Sequence, residues 1–184
     1  MKQIVLAGFM LLSLIGCAEN TLPKPNAYLS LNYPTPSYQK VEHDCPYNFD
    51  LNQTAKIISQ PNCWNKIVYP EMKATVYLSY VLVKNNLDSL LYDAYQMPSK
   101  HVVKAEEIPE SVFQNPEKRV YGTLFSVVGE AASQVQFFLT DSTDHFLVGS
   151  LYFYTRPNYD SLLPAAQYIE NDMMRLMESF EWED

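Results

Sequence analysis

Six apolar residues near the C-terminus set the strongest constraint on the fold. Leu162, Ala166, Ile169, Met173, Leu176 and Phe180 step by four and three, which is one continuous stripe along a helix. A stripe of that length has to be buried against a partner layer. Asn158 or Asp160 is placed to cap its start, and Pro164 falls in or near the first turn, where proline is tolerated. The segments before it carry the other period. Residues 67–69, 74–83, 119–128, 135–140 and 146–155 are β-rich, and Val76, Leu78, Tyr80 and Leu82 share one face of theirs. Asp141-Ser142-Thr143-Asp144 joins the last two strands as a polar hairpin turn.

A second helix is predicted where Leu87, Leu90, Leu91 and Ala94 recur at helical spacing after Asn85-Asn86. Pro98 ends or kinks it, and residues 101–107 resume it before Pro109. Shorter strands are expected at 28–33, between prolines, and at 55–59. The expectation is an α+β fold: an antiparallel sheet packed with two main helices. The element order resembles that of the PsbP/Mog1-type α/β/α sandwich, an analogy of fold that carries no activity.

The N-terminus reads as an export signal. Met1-Lys2-Gln3 is a short positive segment, and residues 4–15 form an apolar run too short to span a bilayer, which takes about 20 residues. Leu14-Ile15-Gly16-Cys17 completes a lipobox, in which the thiol takes up a diacylglycerol before cleavage frees the Cys17 amine. The alternative is a secreted protein whose signal merely contains a cysteine. On the lipobox reading, residues 1–16 are a signal peptide, 17–27 a lipid-anchored tether and 28–184 one globular domain. The chain is then held to a membrane through its N-terminal lipid, in the cell envelope, with the domain facing the periplasm. Ala18 follows the cysteine and Glu19 is the one acidic neighbour, which leaves inner and outer membrane both open.

In an exported chain, Cys45 and Cys63 remain as an even pair. A disulfide between them would stabilise by roughly 3 kcal/mol on the chain-entropy argument. A metal site with His43 is the alternative, two ligands short of the usual zinc set without that histidine and one short with it. The formal net charge is −8, and the acidic balance argues against nucleic acid as a partner. Hydrophobic residues at 47% place the chain among globular proteins. No motif calls for a cofactor or a metal.

The best catalytic constellation is Ser133, Asp141, Ser142, Asp144 and His145, a hydroxyl, carboxylate and imidazole set. It lacks a Gly-x-Ser-x-Gly elbow, and Asp and Ser are expected at a turn in any case, so turn chemistry is the favoured reading. Along the strand at 146–155, Tyr152 and Tyr154 share one face and Leu151 and Phe153 the other. Leu151 and Phe153 are expected to face a helix. Tyr152 and Tyr154, with Arg156 and His145, form a candidate surface for a protein partner or a glycan. Met173, Met174 and Met177 read as helix-packing residues.

Several separated motifs carry a family resemblance. They are Pro23-Lys24-Pro25, Asp44-Cys45-Pro46, Asn62-Cys63-Trp64, Tyr121-Gly122, Gly129-Glu130-Ala131-Ala132-Ser133-Gln134, His145-Phe146-Leu147, Gly149-Ser150-Leu151-Tyr152-Phe153-Tyr154, Pro157-Asn158-Tyr159-Asp160-Ser161 and Glu181-Trp182. In this order, after the lipobox, they resemble the gliding-motility lipoprotein GldD family of the Bacteroidota across essentially the whole mature chain. The resemblance implies a cell-envelope lipoprotein, without known catalytic activity, tied to gliding and to the type IX secretion apparatus. It implies an accessory or assembly role through contacts with envelope proteins of that machinery. The alternative is an envelope lipoprotein that binds or processes peptidoglycan or exported substrates.

Overall fold

The computed structural model describes residues 33–41, 43–100, 102–154 and 158–183, with backbone alone for 102–105. The signal peptide, Cys17, the tether, most of the strand expected at 28–33, and Arg156 lie outside the described residues.

Alternation of apolar and polar residues builds one seven-stranded antiparallel sheet. In chain order its strands are β4 (Lys56–Ile58), β5 (Asn65–Tyr69), β6 (Ala74–Leu82), β8 (Glu110–Asn115), β9 (Val120–Ser126), β11 (Val135–Thr140) and β12 (His145–Phe153). They lie side by side as β4-β5-β6-β12-β11-β9-β8. The longest pairing, β6 with β12, runs from His145 opposite Leu82 to Phe153 opposite Ala74. Three two-stranded pairs surround the sheet. They join β1 (Tyr38–Lys40) to β3 (Asp50–Asn52), β2 (Tyr47–Asn48) to β13 (Glu181–Trp182), and β7 (Val102–Glu107) to β10 (Val128–Ala131).

Two helices cover opposite faces, as the period-two alternation requires. On one face α1 (Leu87–Lys100) sets Ala94, with Leu90 and Leu91, against Phe125, Phe138 and Phe146. On the other, α2 (Tyr159–Ser179) buries Ile169, Met173, Leu176 and Met177 against Val76, Leu78, Leu124, Phe137, Leu139, Leu147 and Leu151. Each such side chain contributes about 1.5–3 kcal/mol when fully buried. Asn158 caps α2, its side-chain oxygen accepting the Ser161 N–H at 3.3 Å. The α+β fold with two main helices is therefore observed, and Leu151 and Phe153 do face a helix side of the core.

Three expectations change. Residues 101–107 do not resume the helix: α1 runs through Pro98 to Lys100, and Val102–Glu107 is a strand paired with β10. Sheet pairing outweighs the helical compatibility of Lys-Ala-Glu-Glu, helped by the β-branched pair Val102-Val103. β8 forms between Pro109 and Pro116, where no apolar run announces it. Met174 is 43% exposed, so of the three methionines only Met173 and Met177 pack.

Candidate functional site

β6 and β12 reach one rim of the sheet together, and two further pieces of chain arrive there. Cys45 and Cys63 form a disulfide with their Cα atoms 5.5 Å apart. Inside the loop it closes lies β2, and β13 pairs with it, Trp182 opposite Tyr47 and Glu181 opposite Asn48. The Glu183 N–H donates to the Pro46 carbonyl at 3.0 Å, and the Asn48 amide donates to the Glu183 carboxylate. The C-terminal strand is thereby tied to the disulfide loop.

Aromatic rings fill this rim. His145 Nδ1 lies 2.7 Å from the Tyr80 hydroxyl, and the His145 ring stacks on Trp182 at 5.1 Å with planes 15° apart. Trp182 meets Phe180 edge-on at 4.7 Å, and Phe180 stacks on Tyr47 at 5.6 Å. Burial pushes the Tyr80 phenol up, and the charges of Asp141 and Asp144 add to it. Tyr47, buried against the disulfide loop, is pushed up to about 12 by burial, although a hydrogen bond from Asn65 opposes this. His43 accepts the Cys45 N–H at its Nδ1, and burial lowers its imidazole below the usual value.

Local backbone geometry presents Trp64 at this rim. Asn62 and Cys63 are both left-handed, with φ 62° and 57°. Asn tolerates that region; for cysteine it costs roughly 1–3 kcal/mol and persists where the surroundings over-determine it. The disulfide and the hydrogen bond from the Tyr47 hydroxyl to the Cys63 carbonyl, 2.9 Å, supply the constraint. Trp64 then donates its indole N–H to the Tyr80 carbonyl at 3.0 Å and keeps 51% of its surface exposed, and Leu82, two residues further along β6, keeps 50%. Tyr80, His145 and Trp182 thus make one aromatic ledge, with Leu82 opposite His145 across the strand pair and Trp64 bonded to the Tyr80 backbone. Of these, His145 alone was among the candidate site residues. The signal for the rest was the convergence of separate motifs, Cys45-Pro46, Cys63-Trp64 and Glu181-Trp182, which spacing along the chain does not reveal.

Of the candidate catalytic set, Ser133 stands apart from the turn that carries Asp141, Ser142, Asp144 and His145. Asp141 accepts the backbone N–H groups of Thr143, Asp144 and His145, each at 2.9 Å, and the Thr143 hydroxyl at 2.7 Å. Burial pushes its carboxyl up, but these hydrogen bonds outweigh burial and bring it down to about 2. Arg119 completes the shell at 3.0 Å. Ser133 donates to the Val135 carbonyl at the opposite end of β11, roughly 26 Å away at strand rise. The Asp141 side chain thus makes the hydrogen bonds of a turn residue. Among the described residues no three His, Cys, Asp or Glu side chains gather as metal ligands, and the disulfide removes Cys45 and Cys63 from that role.

Tyr152 and Tyr154 lie elsewhere. They share the α1 face of the sheet, while His145 faces the α2 side at the other end of β12, roughly 23 Å away. His145 and the tyrosines are therefore two sites. Around Tyr152, the Tyr77 ring stands edge-on at 5.7 Å, and the Tyr154 hydroxyl lies 3.0 Å from Thr75 Oγ1 and 3.4 Å from the Tyr77 hydroxyl. Lys66 Nζ sits 5.4 Å over the Tyr77 ring.

No curated protein and no solved structure matches the chain. A family model described as gliding motility lipoprotein GldD matches residues 18–182, which takes in every described element and the motifs that meet at the aromatic rim. The chain belongs to the gliding motility lipoprotein GldD family.

Proposed function

We propose that this protein is a lipid-anchored accessory component of the gliding motility apparatus and of the type IX secretion machinery tied to it, holding or maturing an envelope complex through protein contacts. The observation that carries this reading is membership of a gliding motility lipoprotein family across residues 18–182. The lipobox at Leu14-Ile15-Gly16-Cys17 supports a diacylglyceryl thioether on Cys17 and a domain held on the periplasmic side of an envelope membrane. One acyl chain binds only marginally, and a diacylated, N-acylated cysteine supplies the further chains that stable anchoring needs. The aromatic rim supports the docking role: tryptophan and tyrosine dominate interface energetics, and here Trp64 and Leu82 present their surfaces on a disulfide-fixed ledge. Helices on both sheet faces accord with the layering of a PsbP/Mog1-type sandwich, a likeness without functional weight.

A clean deletion strain tests the reading. Loss of spreading and of type IX secretion is expected, restored by the native gene but not by Cys17→Ala or by Trp64→Ala combined with Leu82→Ser. Normal gliding and secretion in the deletion strain would overturn it. Mass spectrometry of the mature protein checks the anchor separately; an intact Met1 and an unmodified Cys17 thiol would remove the lipid from the proposal.

A further inference from the structure

The seven-stranded sheet ends on one side at β8, and among the described residues no strand pairs with its outer edge. One hydrogen bond fixes which backbone groups that edge presents. The Ser126 N–H donates to the Pro109 carbonyl at 3.0 Å, and the register sets Glu110 opposite Phe125. Bonded and non-bonded pairs alternate along an antiparallel ladder. Ser111, Phe113 and Asn115 therefore bond β9, and Glu110, Val112 and Gln114 turn their backbone groups outward. The other side of β9 agrees. The Val127 N–H bonds the Gln134 carbonyl, so the odd positions of β9 serve β11 and the even ones β8.

Three N–H and three C=O groups thus line this edge without a partner among the described residues, between Pro109 and Pro116. Sheets commonly guard such an edge with bulges, charge or cover. Here the register with β9 is unbroken, and Glu110, Ser111, Val112 and Gln114 are all exposed. Val112 is 69% exposed, the highest value for a large hydrophobic side chain among the described residues. It stands opposite Thr123, whose hydroxyl lies 3.3 Å from that of the exposed Tyr95 on α1.

We propose that β8 pairs with β8 of a second copy, antiparallel about a two-fold axis at Val112, joining two sheets into one. Geometry selects this register. Outward groups must meet outward groups, so the copies slide only in steps of two residues. With Val112 on the axis, it meets the partner's Val112, Glu110 meets the partner's Gln114, and all six groups of each strand are bonded. A step either way sets one outward residue beyond the end of the partner strand. Charge favours the same register. Glu110 is the one charged residue of β8, and it meets a carboxamide that can donate to it instead of the partner's Glu110. The opposite edge of the sheet, β4, offers only Lys56–Ile58. A contact of β8 with β4 would be head-to-tail and would grow a filament instead of closing. An unrelated peptide would find the same backbone groups, but a second copy also brings an apolar residue to Val112 and an amide to Glu110. This inference stands apart from the motility reading, and each can fail alone.

Cysteine trapping in whole cells that express the full-length chain tests the seam. Cys45 and Cys63 are already bonded to each other, and the native chain, which keeps Cys17, is the blank. In the proposed register the two Val112 Cα atoms lie about 5.5 Å apart, within disulfide reach. Gln114 is displaced from the partner's Gln114 by four residues, roughly 13 Å along the strand and out of reach. After oxidation with copper phenanthroline, Val112→Cys should give at least ten times more covalent dimer than Gln114→Cys. Glu110→Cys co-expressed with Gln114→Cys should give the mixed dimer. Adding Val112→Lys to both of those chains sets like charges on the axis and should lower the mixed dimer at least tenfold. These positions are exposed, so unchanged melting temperatures are expected. Failure of Val112→Cys to crosslink above the native blank would overturn the proposal. So would equal crosslinking by Gln114→Cys alone, or a preference of Val112→Cys for Ile58→Cys on β4.

Discussion

At Asp141 five donors converge on one buried carboxylate: three backbone N–H groups, the Thr143 hydroxyl and the Arg119 guanidinium. Asn in its place keeps one acceptor oxygen and turns an NH2 toward the donors. Because the folded carboxyl sits at about 2, below its ordinary 3.8, it contributes stability above the ordinary value that is lost as pH falls through 2. Each tenfold change in proton affinity is worth about 1.4 kcal/mol, so Asp141→Asn should cost about 2 kcal/mol at pH 7 and progressively less below pH 4. Urea unfolding at several pH values measures both. Glycine requirements are as local. A Cβ on Gly149 would enter the Phe137 ring, and one on Gly122 would meet the Phe138 carbonyl of the neighbouring strand. Gly149→Ala should cost about 1–3 kcal/mol, as overpacking does, and Gly122→Ala more, since a backbone ladder yields less than a ring. Thermal melts of the two variants check the order. The Asp141 turn was legible in the sequence because turn chemistry is local. That the buried Gln136 amide finds no partner among the described residues was not: alternation assigns a side chain to a face and is silent about whether anything there will pair with it.

The elements show the same division. α2 was legible as a helix, since six apolar positions at one period agree with a cap at Asn158 or Asp160, although the last of the six, Phe180, falls just past its end at Ser179. Residues 101–107 were misread because Lys-Ala-Glu-Glu suits a helix, and the deciding partner, β10, lies more than twenty residues downstream. The disulfide was legible from parity and compartment, but its association with β13 was not, because Trp182 is 119 residues beyond Cys63. That association makes a prediction. β13 pairs with β2 inside the disulfide loop, and Glu181 is held by Lys40 at 3.1 Å and by Lys118 at 2.9 Å. These surface ion pairs are worth little singly; the larger loss on removing residues 181–184 is the cover that Trp182 gives His145 and Phe180. The truncated protein should melt lower, and its Cys45–Cys63 bond should be reduced faster by dithiothreitol. Thiol labelling over time follows that rate, and an unchanged rate would show that the strand and the loop are independent.

At the scale of the whole molecule, Asp172 is the point where separate pieces are fastened together. It lies on the core side of α2, 3% exposed. It accepts the Tyr38 hydroxyl of β1 at 2.7 Å, the Tyr69 hydroxyl of β5 at 3.0 Å and the Asn52 amide of β3 at 2.9 Å. Among the described residues no cation pairs with it. Burial therefore dominates and raises its carboxyl above the ordinary value, although all three donors oppose the rise. A group that holds its proton more tightly folded than unfolded contributes stability that is full below its unfolded pKa and shrinks as pH climbs through the folded one. Asp172 thus works against Asp141 in sign, and the two span different pH windows: Asp141 from about 4 down to about 2, Asp172 from about 4 upward. The net charge of −8 adds repulsion that also grows with pH, so the native curve alone does not isolate the buried acid. A comparison does. Asn at 172 can accept the hydroxyls on its oxygen and donate its amide to a tyrosine oxygen, while carrying no charge at any pH. Asp172→Asn should look weakest against the native protein below the ordinary carboxylate value, where the carboxyl is protonated folded and unfolded alike, and should gain on it as pH rises through the raised folded value. Denaturant midpoints of the two proteins, taken in parallel across that range, read the gain directly. A constant difference between them would mean that Asp172 ionises as easily inside the fold as outside it, and that the three donors fully compensate its burial.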